Sequence, residues 1–204
     1  MRVTSGGHTF TSTARRAQIV AATIDTIAEL GYNQTSFARI AERAGLSSTR
    51  LISYHFAGKD ELMAAVLADV LQRLARHMGE RVDAARDARG RLRAYITGLV
   101  EFVAGHRPQM KAVMEIFLHP SGDLSSYGPG DDRDALGHLE AILRDGQERG
   151  EFRAFDPFVM ATAIQRSMDG LPFLLQTRPD LDLEAYAREL CVTFDLATRS
   201  PEAS

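Results

Sequence analysis

Residues 35 to 62 read TSFARIAERAGLSSTRLISYHFAGKDEL, and the order of their apolar and polar positions decides the fold of the first part of the chain. Phe37, Ile40, Ala41 and Ala44 recur at three- and four-residue steps, which places them on one face of a short helix that Thr35 or Ser36 can cap. Gly45 ends that helix. A second short helix begins at Ser47 or Ser48 and runs to about Phe56, and Ala57-Gly58 separates it from a longer one, Lys59 to roughly Arg81. Two short helices joined by a tight turn at Gly45-Leu46 form a helix-turn-helix, the motif whose second helix enters the DNA major groove. Leu46, Ile52 and Phe56 would anchor that second helix, leaving Ser48, Thr49, Arg50 and Ser53 for base edges or nearby phosphates. Arg50 leads as base reader, because one guanidinium can donate to guanine O6 and N7 together. Tyr54, His55 and Lys59 stand where hydroxyl, imidazole and ammonium donors can grip phosphate oxygens, contacts that set register rather than sequence. Singly these three are ordinary residues: a half-buried aromatic, a packing histidine and a first-turn lysine. Their joint spacing behind a glycine turn is what points to DNA.

Outward from this stretch the pattern stays helical. Before it, Ile19 or Val20, Thr23 or Ile24, Ile27 and Leu30 make one apolar stripe on a helix that opens near Ser12 or Thr13 and stops at Gly31. After it, Arg91 to Ala104 presents Leu92, Tyr95, Ile96, Leu99, Val100 and Val103 on one side, and Pro108 to Phe117 is shorter and rich in Met and Val. A Gly/Pro/Ser-rich loop is expected over 119–132, followed by helices over Arg133 to Arg149 and Pro157 to about Gln176. Asp156 as cap and Pro157 in the first turn mark the start of the latter, and Pro172 should kink or interrupt it. A last helix follows Asp182, repeating Leu183, Tyr186 or Ala187, Leu190, Phe194 and Ala197. No strand-period segment of useful length and no internal repeat interrupts this series, so the fold class is all-α.

Composition narrows the function. The 204 residues carry a net charge of -3, but residues 1 to 60 hold seven Lys/Arg against four acids, a balance of +3, which leaves -6 on the remainder. A basic end on an acidic body suggests different partners for the two, since phosphate attracts only the first. No run of 18 apolar residues exists to span a bilayer, the start MRVTSGGHTF lacks the apolar stretch of a secretory signal, and the single Cys191 sits among apolar neighbours. The expectation is a cytoplasmic protein with no membrane partner.

From Arg15 to Leu62 the chain, RRAQIVAATIDTIAELGYNQTSFARIAERAGLSSTRLISYHFAGKDEL, resembles the DNA-binding domain of the TetR family of bacterial transcriptional regulators. The likeness is carried by the Gly-Tyr turn, the Thr-Ser before helix two, Ile-Ala-x-x-Ala-Gly, and Tyr-His-Phe-x-x-Lys-x-x-Leu. It covers about a quarter of the chain, with one residue more between Leu46 and Tyr54 than the commonest family spacing. The resemblance implies phosphate contacts for Thr35, Ser36, Tyr54, His55 and Lys59, and base-facing roles for Ser48, Thr49 and Arg50. It further implies a helix-turn-helix domain over 1–58 and a larger ligand-binding and dimerisation domain over 59–204, joined by a linking helix over 59–81. In such a body the final helix and Pro157 to Gln176 would pair across two subunits as a four-helix interface.

Candidates for an adaptable apolar pocket are Phe102, Met110, Met114, Phe117, Gln165, Met168 and Asp169, although residues of this kind at helical spacing are more often plain core. Asp169 is the most informative, since a carboxylate in so apolar a helix wants a partner such as Arg166 or a ligand cation. His106, His119 and His138 with Asp131, Asp132 and Asp134 read as a solvated acidic helix start rather than a metal site. With no phosphate-binding glycine loop, paired cysteine ligands or Gly-x-Ser-x-Gly nucleophile motif, catalysis and a cofactor are not expected. The expected protein is a dimeric repressor of a palindromic duplex operator, responsive to an unknown small-molecule effector. The alternative from another class is a helical protein-interaction module without DNA binding.

Overall fold

The computed structural model describes residues 6–119 and 129–201, with side chains described over 12–119 and 135–201. Ten helices order the described chain: α1 (Gly6–Leu30), α2 (Phe37–Arg43), α3 (Arg50–His55), α4 (Lys59–Asp83), α5 (Ala88–Gly105), α6 (Arg107–Leu118), α7 (Pro129–Glu148), α8 (Pro157–Asp169), α9 (Leu171–Thr177) and α10 (Leu183–Thr198). The one β-type pairing among the described residues is an isolated bridge between Phe152 and Arg199. These residues form two compact units, one within Met1–Leu71 and Pro108–Leu124, the other within Gln72–Arg107 and Ser125–Ser204. The division therefore falls inside α4 rather than at the expected 58/59 boundary, and α6 goes with the first unit.

In the first unit α1 buries Ile19, Val20, Ile24 and Ile27, and its buried Thr23 and Thr26 hydroxyls donate back to the Ile19 and Ala22 carbonyls at 2.7 and 2.6 Å. Ser36 caps α2 by accepting from the Arg39 N–H at 3.4 Å. α2 then ends in a Schellman motif: Leu46 N–H donates to the Ala41 carbonyl at 2.8 Å and Gly45 N–H to Glu42 at 3.1 Å. This closure needs Gly45 at φ +64°, a conformation that a side chain would strain. In the first part of α4, which falls in the same unit, Leu62, Met63, Val66, Leu67 and Val70 are buried as well.

The attachment of α6 explains the unit boundary. Lys111 Nζ donates to the Ala28 carbonyl at 2.7 Å, the Glu115 carboxylate accepts from the Tyr32 N–H at 3.1 Å, and the His119 ring stacks on Tyr32 with centroids 5.1 Å apart. Lys111 satisfies one of the carbonyls that the end of α1 leaves without a helical partner.

In the second unit α5 lies against both α7 and α10, and α7 against α8. Its core gathers Leu92, Ile96 and Leu99 of α5, Leu139 and Leu143 of α7, Ile164 and Met168 of α8, and Phe194 of α10, with Leu74, Met78 and Val82 of α4 packed against it. The start of α5 is capped twice: Asp87 accepts from the Gly90 N–H at 2.6 Å, and Glu151 from the Ala88 and Arg89 N–H groups at 2.9 and 3.2 Å. Gly146 allows α7 and the segment after it to close up, because a Cβ there would run into the Phe152 ring and approach the Ala88 Cβ to 2.9 Å.

Helix boundaries differ from expectation where local signals compete. α1 begins at Gly6, ahead of the stripe that marks its buried face, and α7 begins at Pro129 rather than Arg133. Residues 120–128 of the expected 119–132 loop lie outside the described residues, as do the side chains of Asp131, Asp132 and Asp134. α3 starts at Arg50 instead of Ser47 or Ser48, since Ser48 and Thr49 form a turn in which Ser48 Oγ accepts from the Arg50 N–H at 3.1 Å. The interruption expected at Pro172 occurs at Gly170, which ends α8 and leaves Pro172 in the first turn of α9. Asp156 and Asp182 cap α8 and α10, accepting from Val159 and Ala185 N–H at 3.1 and 2.9 Å.

Candidate nucleic-acid interface

α3 is only six residues long, too short to be stable by itself, so its orientation depends on what holds it from behind. Ile52 and the C-capping Phe56 are fully buried, and Leu46 is half-buried. The Arg16 guanidinium of α1 lies over the Phe56 ring, 4.1 Å from its centroid, and donates to the His55 carbonyl at 2.6 Å. Arg16 also pairs with Glu61 at 3.3 Å, while the other Glu61 oxygen accepts from the Ala57 N–H at 2.7 Å. That backbone hydrogen bond is the main reason the Glu61 carboxyl titrates below its ordinary range, with burial opposing and Arg16 adding to the effect. Gln18 Nε2 donates to the Ala44 carbonyl at 2.7 Å, so α1 holds the helices on both sides of the turn.

The outward side of this arrangement carries the sequence candidates. Ser48, Thr49, Arg50, Ser53 and Tyr54 are exposed, Tyr54 at 81%, and the Arg50 guanidinium makes no ion pair or side-chain hydrogen bond among the described residues. His55 is half-buried, with its ring edge-on to Tyr54 at 5.1 Å. Arg43, by contrast, pairs with Glu29. Ser36 is exposed at the start of α2, whereas Thr35 is buried with its hydroxyl donating to the Gly31 carbonyl at 2.8 Å.

Lys59 stands at the start of α4 with its Nζ 3.9 Å from the Tyr32 ring centroid, donating to the Tyr32 carbonyl at 3.1 Å. Burial lowers the pKa of this ammonium, with Asp60 opposing. Tyr32 is thus held by Lys59, Glu115 and His119 together, and Asn33 Nδ2 lies 3.3 Å from His119 Nε2. The brace from α6 went unforeseen in the sequence. Its signal is Lys111, Glu115 and His119 at four-residue steps, a polar line along α6 that continues to the residue just past its end.

The seven pocket candidates are not gathered at one described cavity. Phe102, Met114 and Met168 are buried, Met110 and Gln165 half-buried, Phe117 and Asp169 exposed. Phe102 is flanked by two imidazoles, His106 stacked at 4.1 Å and His77 edge-on at 5.5 Å. Asp169 has the partner its position called for, Arg166 at 2.5 Å, and also accepts from Gln165 Nε2 at 2.7 Å. A cavity of about 710 Å³ does lie in the second unit, along α5 and α10, and none of the seven lines it. No group of three or more His, Cys, Asp or Glu side chains among the described residues is placed to hold a metal ion, and no described helix is long and apolar enough to cross a membrane.

A helix-turn-helix module followed by further helices is the class that fold and site define, and comparison with known proteins shows what it is similar to. Residues 19–66 match the family described as bacterial regulatory proteins, tetR family. The HTH-type transcriptional regulator BetI of Burkholderia ambifaria is 39% identical over 98 residues, 48% of this chain and 50% of that protein. BetI of Stenotrophomonas maltophilia is 39% identical over 85 residues, 41% of this chain and 43% of its own. The chain thus spans about half the length of these curated relatives. Among solved structures, a TetR transcription regulator from Haloarcula marismortui shares the fold with a TM-score of 0.81 at 22% identity, over 92% of this chain and 100% of that one. The likeness to TetR-family proteins in sequence therefore lies in the N-terminal part of the chain, and the solved structure shares the fold.

Proposed function

We propose that the chain is a ligand-responsive transcriptional regulator that binds a palindromic duplex operator as a homodimer and acts as a cytoplasmic repressor, without catalysis or a cofactor. The observation that carries this reading is Arg50, exposed and unpaired among the described residues, beside Ser53 and Tyr54 on a helix anchored by Ile52, Phe56 and Arg16. Arg50→Ala is expected to relax preference at one base position and cost about 1 to 3 kcal/mol there, whereas Lys59→Ala should weaken binding alike on all duplexes and lower the salt slope by about one. Titration of a set of single-base operator variants over a range of salt separates the two. A uniform loss on Arg50→Ala contradicts the base-reading role. An unchanged salt slope on Lys59→Ala makes that lysine a brace for Tyr32 alone.

Support for the dimer comes from apolar side chains left in solvent: Phe158 and Val159 on α8, Val192 and Leu196 on α10. Paired with the same strip of a second subunit they would form the four-helix interface that such bundles use. Responsiveness to an effector has a mechanical route in α4, which gives Leu67 and Val70 to the core of the first unit and Leu74, Met78 and Val82 to that of the second. An effector that prefers the non-binding arrangement would release DNA by about 5- to 150-fold, and operator DNA would weaken effector binding by the same factor. Titrating an effector with and without operator tests this. Equal affinities in the two cases would leave the body a dimerisation scaffold.

A further inference from the structure

The cavity along α5 and α10 holds about 710 Å³, within the roughly 300–1,000 Å³ of small-ligand sites. Its walls include Val100 and Ala104 of α5 and Ala187, Val192 and Leu196 of α10. Arg89 near the start of α5 pairs with Asp195 near the end of α10, so those two helix ends meet. Charge is unevenly available along this trough. All three lining carboxylates are engaged: Glu101 by Arg81, Glu184 by Arg188 at 2.6 Å, and Asp195 by Arg89 at 2.7 Å. Of the lining arginines, Arg93 and Arg199 make no ion pair or side-chain hydrogen bond among the described residues. Both belong to the same end, where the start of α5 meets the end of α10, and the apolar wall of Val100, Ala104 and Ala187 extends away from them.

An apolar trough with two available guanidiniums at one end and every carboxylate already neutralised favours an apolar body with one anionic head, and disfavours a cation. We propose that this groove binds an amphipathic monocarboxylate, its chain along Val100, Ala104 and Ala187 and its carboxylate held by Arg93 and Arg199. The site deepens the ligand-responsive reading by naming a chemical class, and it rests on that reading for its regulatory consequence. Val192 and Leu196 are also the α10 residues assigned above to the subunit interface, so the dimer would form at their edge of the groove while the ligand takes Val100, Ala104, Ala187 and the two arginines; a second copy covering the whole groove is the rival occupant.

Cys191, the single cysteine of the chain, lines the groove half-buried and therefore reports its occupancy. The test measures the rate of its alkylation by iodoacetamide in the full-length protein, titrated with decanoate, decanol or decyltrimethylammonium at equal concentrations. Decanoate is expected to slow alkylation saturably, decanol to do so at higher concentration, and the cation not at all. Arg93→Gln and Arg199→Gln should each raise the half-protecting decanoate concentration about tenfold, the loss of one charge-assisted hydrogen bond. Half-protection is read rather than absolute rate because Arg93 also influences the Cys191 thiol. Equal protection by all three amphiphiles, or none by decanoate, overturns the proposal. So does protection that grows with protein concentration and ignores decanoate, which would assign the groove to a second subunit. The assay contains no DNA, so its failure leaves the operator-binding reading intact, and failure of operator binding leaves this assay valid.

Discussion

Phe56→Ala is expected to destabilise the first unit by about 3 to 5 kcal/mol and to abolish operator binding, the range seen when a fully buried aromatic is truncated. Phe56 is 1% exposed and sits at the end of α3, where Arg16 covers its ring and holds the His55 carbonyl. Alanine would leave a cavity there and remove the surface against which the guanidinium packs, so α3 would lose its C-terminal anchor as well as buried area. Urea unfolding followed by circular dichroism, together with a duplex-binding titration, measures both effects. A loss below about 1 kcal/mol with binding retained would show that Ile52 and Leu46 suffice to hold the helix.

Gly146→Ala is the counterpart in the second unit, with an expected cost of about 1 to 3 kcal/mol from overpacking. The added methyl would meet the Phe152 ring and the Ala88 side chain, both fully buried, so neither neighbour can swing into solvent. The segment around Phe152 also supplies Glu151, whose carboxylate caps α5, and displacing it should loosen that cap. Phe152→Leu in the Gly146→Ala background should recover part of the loss by making room for the methyl. Thermal unfolding of the two variants checks this, and an unchanged melting temperature for Gly146→Ala contradicts the packing.

The sequence displayed the parts of this fold that rest on short-range physics. Gly45 after an apolar helix face, Asp156 with Pro157, and Asp182 before the last amphipathic run each fix a helix end through contacts within five residues. Less legible was α6: Lys111 and Glu115 act on Ala28 and Tyr32, more than eighty residues away, and no local pattern encodes such a pairing. The same holds for Arg16, whose donation to His55 mounts α3 but which in sequence is one of several arginines near the start. Among the interface candidates, the residues of α3 could be sorted by helical period into Ile52 within and Arg50, Ser53 and Tyr54 without. Thr35 and Lys59 could not, because their hydroxyl and ammonium are directed by the Gly31 and Tyr32 carbonyls rather than by periodicity.

Selection of bound sequences from a random duplex pool tests most directly whether α3 reads duplex DNA from a two-fold assembly. A dimer carries two recognition helices, and for helix-turn-helix dimers the half-sites lie about one DNA turn apart, roughly 34 to 36 Å, or a multiple of it. Enrichment of an inverted repeat with that spacing is expected, with the preference lost in the Arg50→Ala protein at one position of each half-site. Enrichment of a sequence with no inverted symmetry, or retention of no duplex at all at low salt, would contradict it.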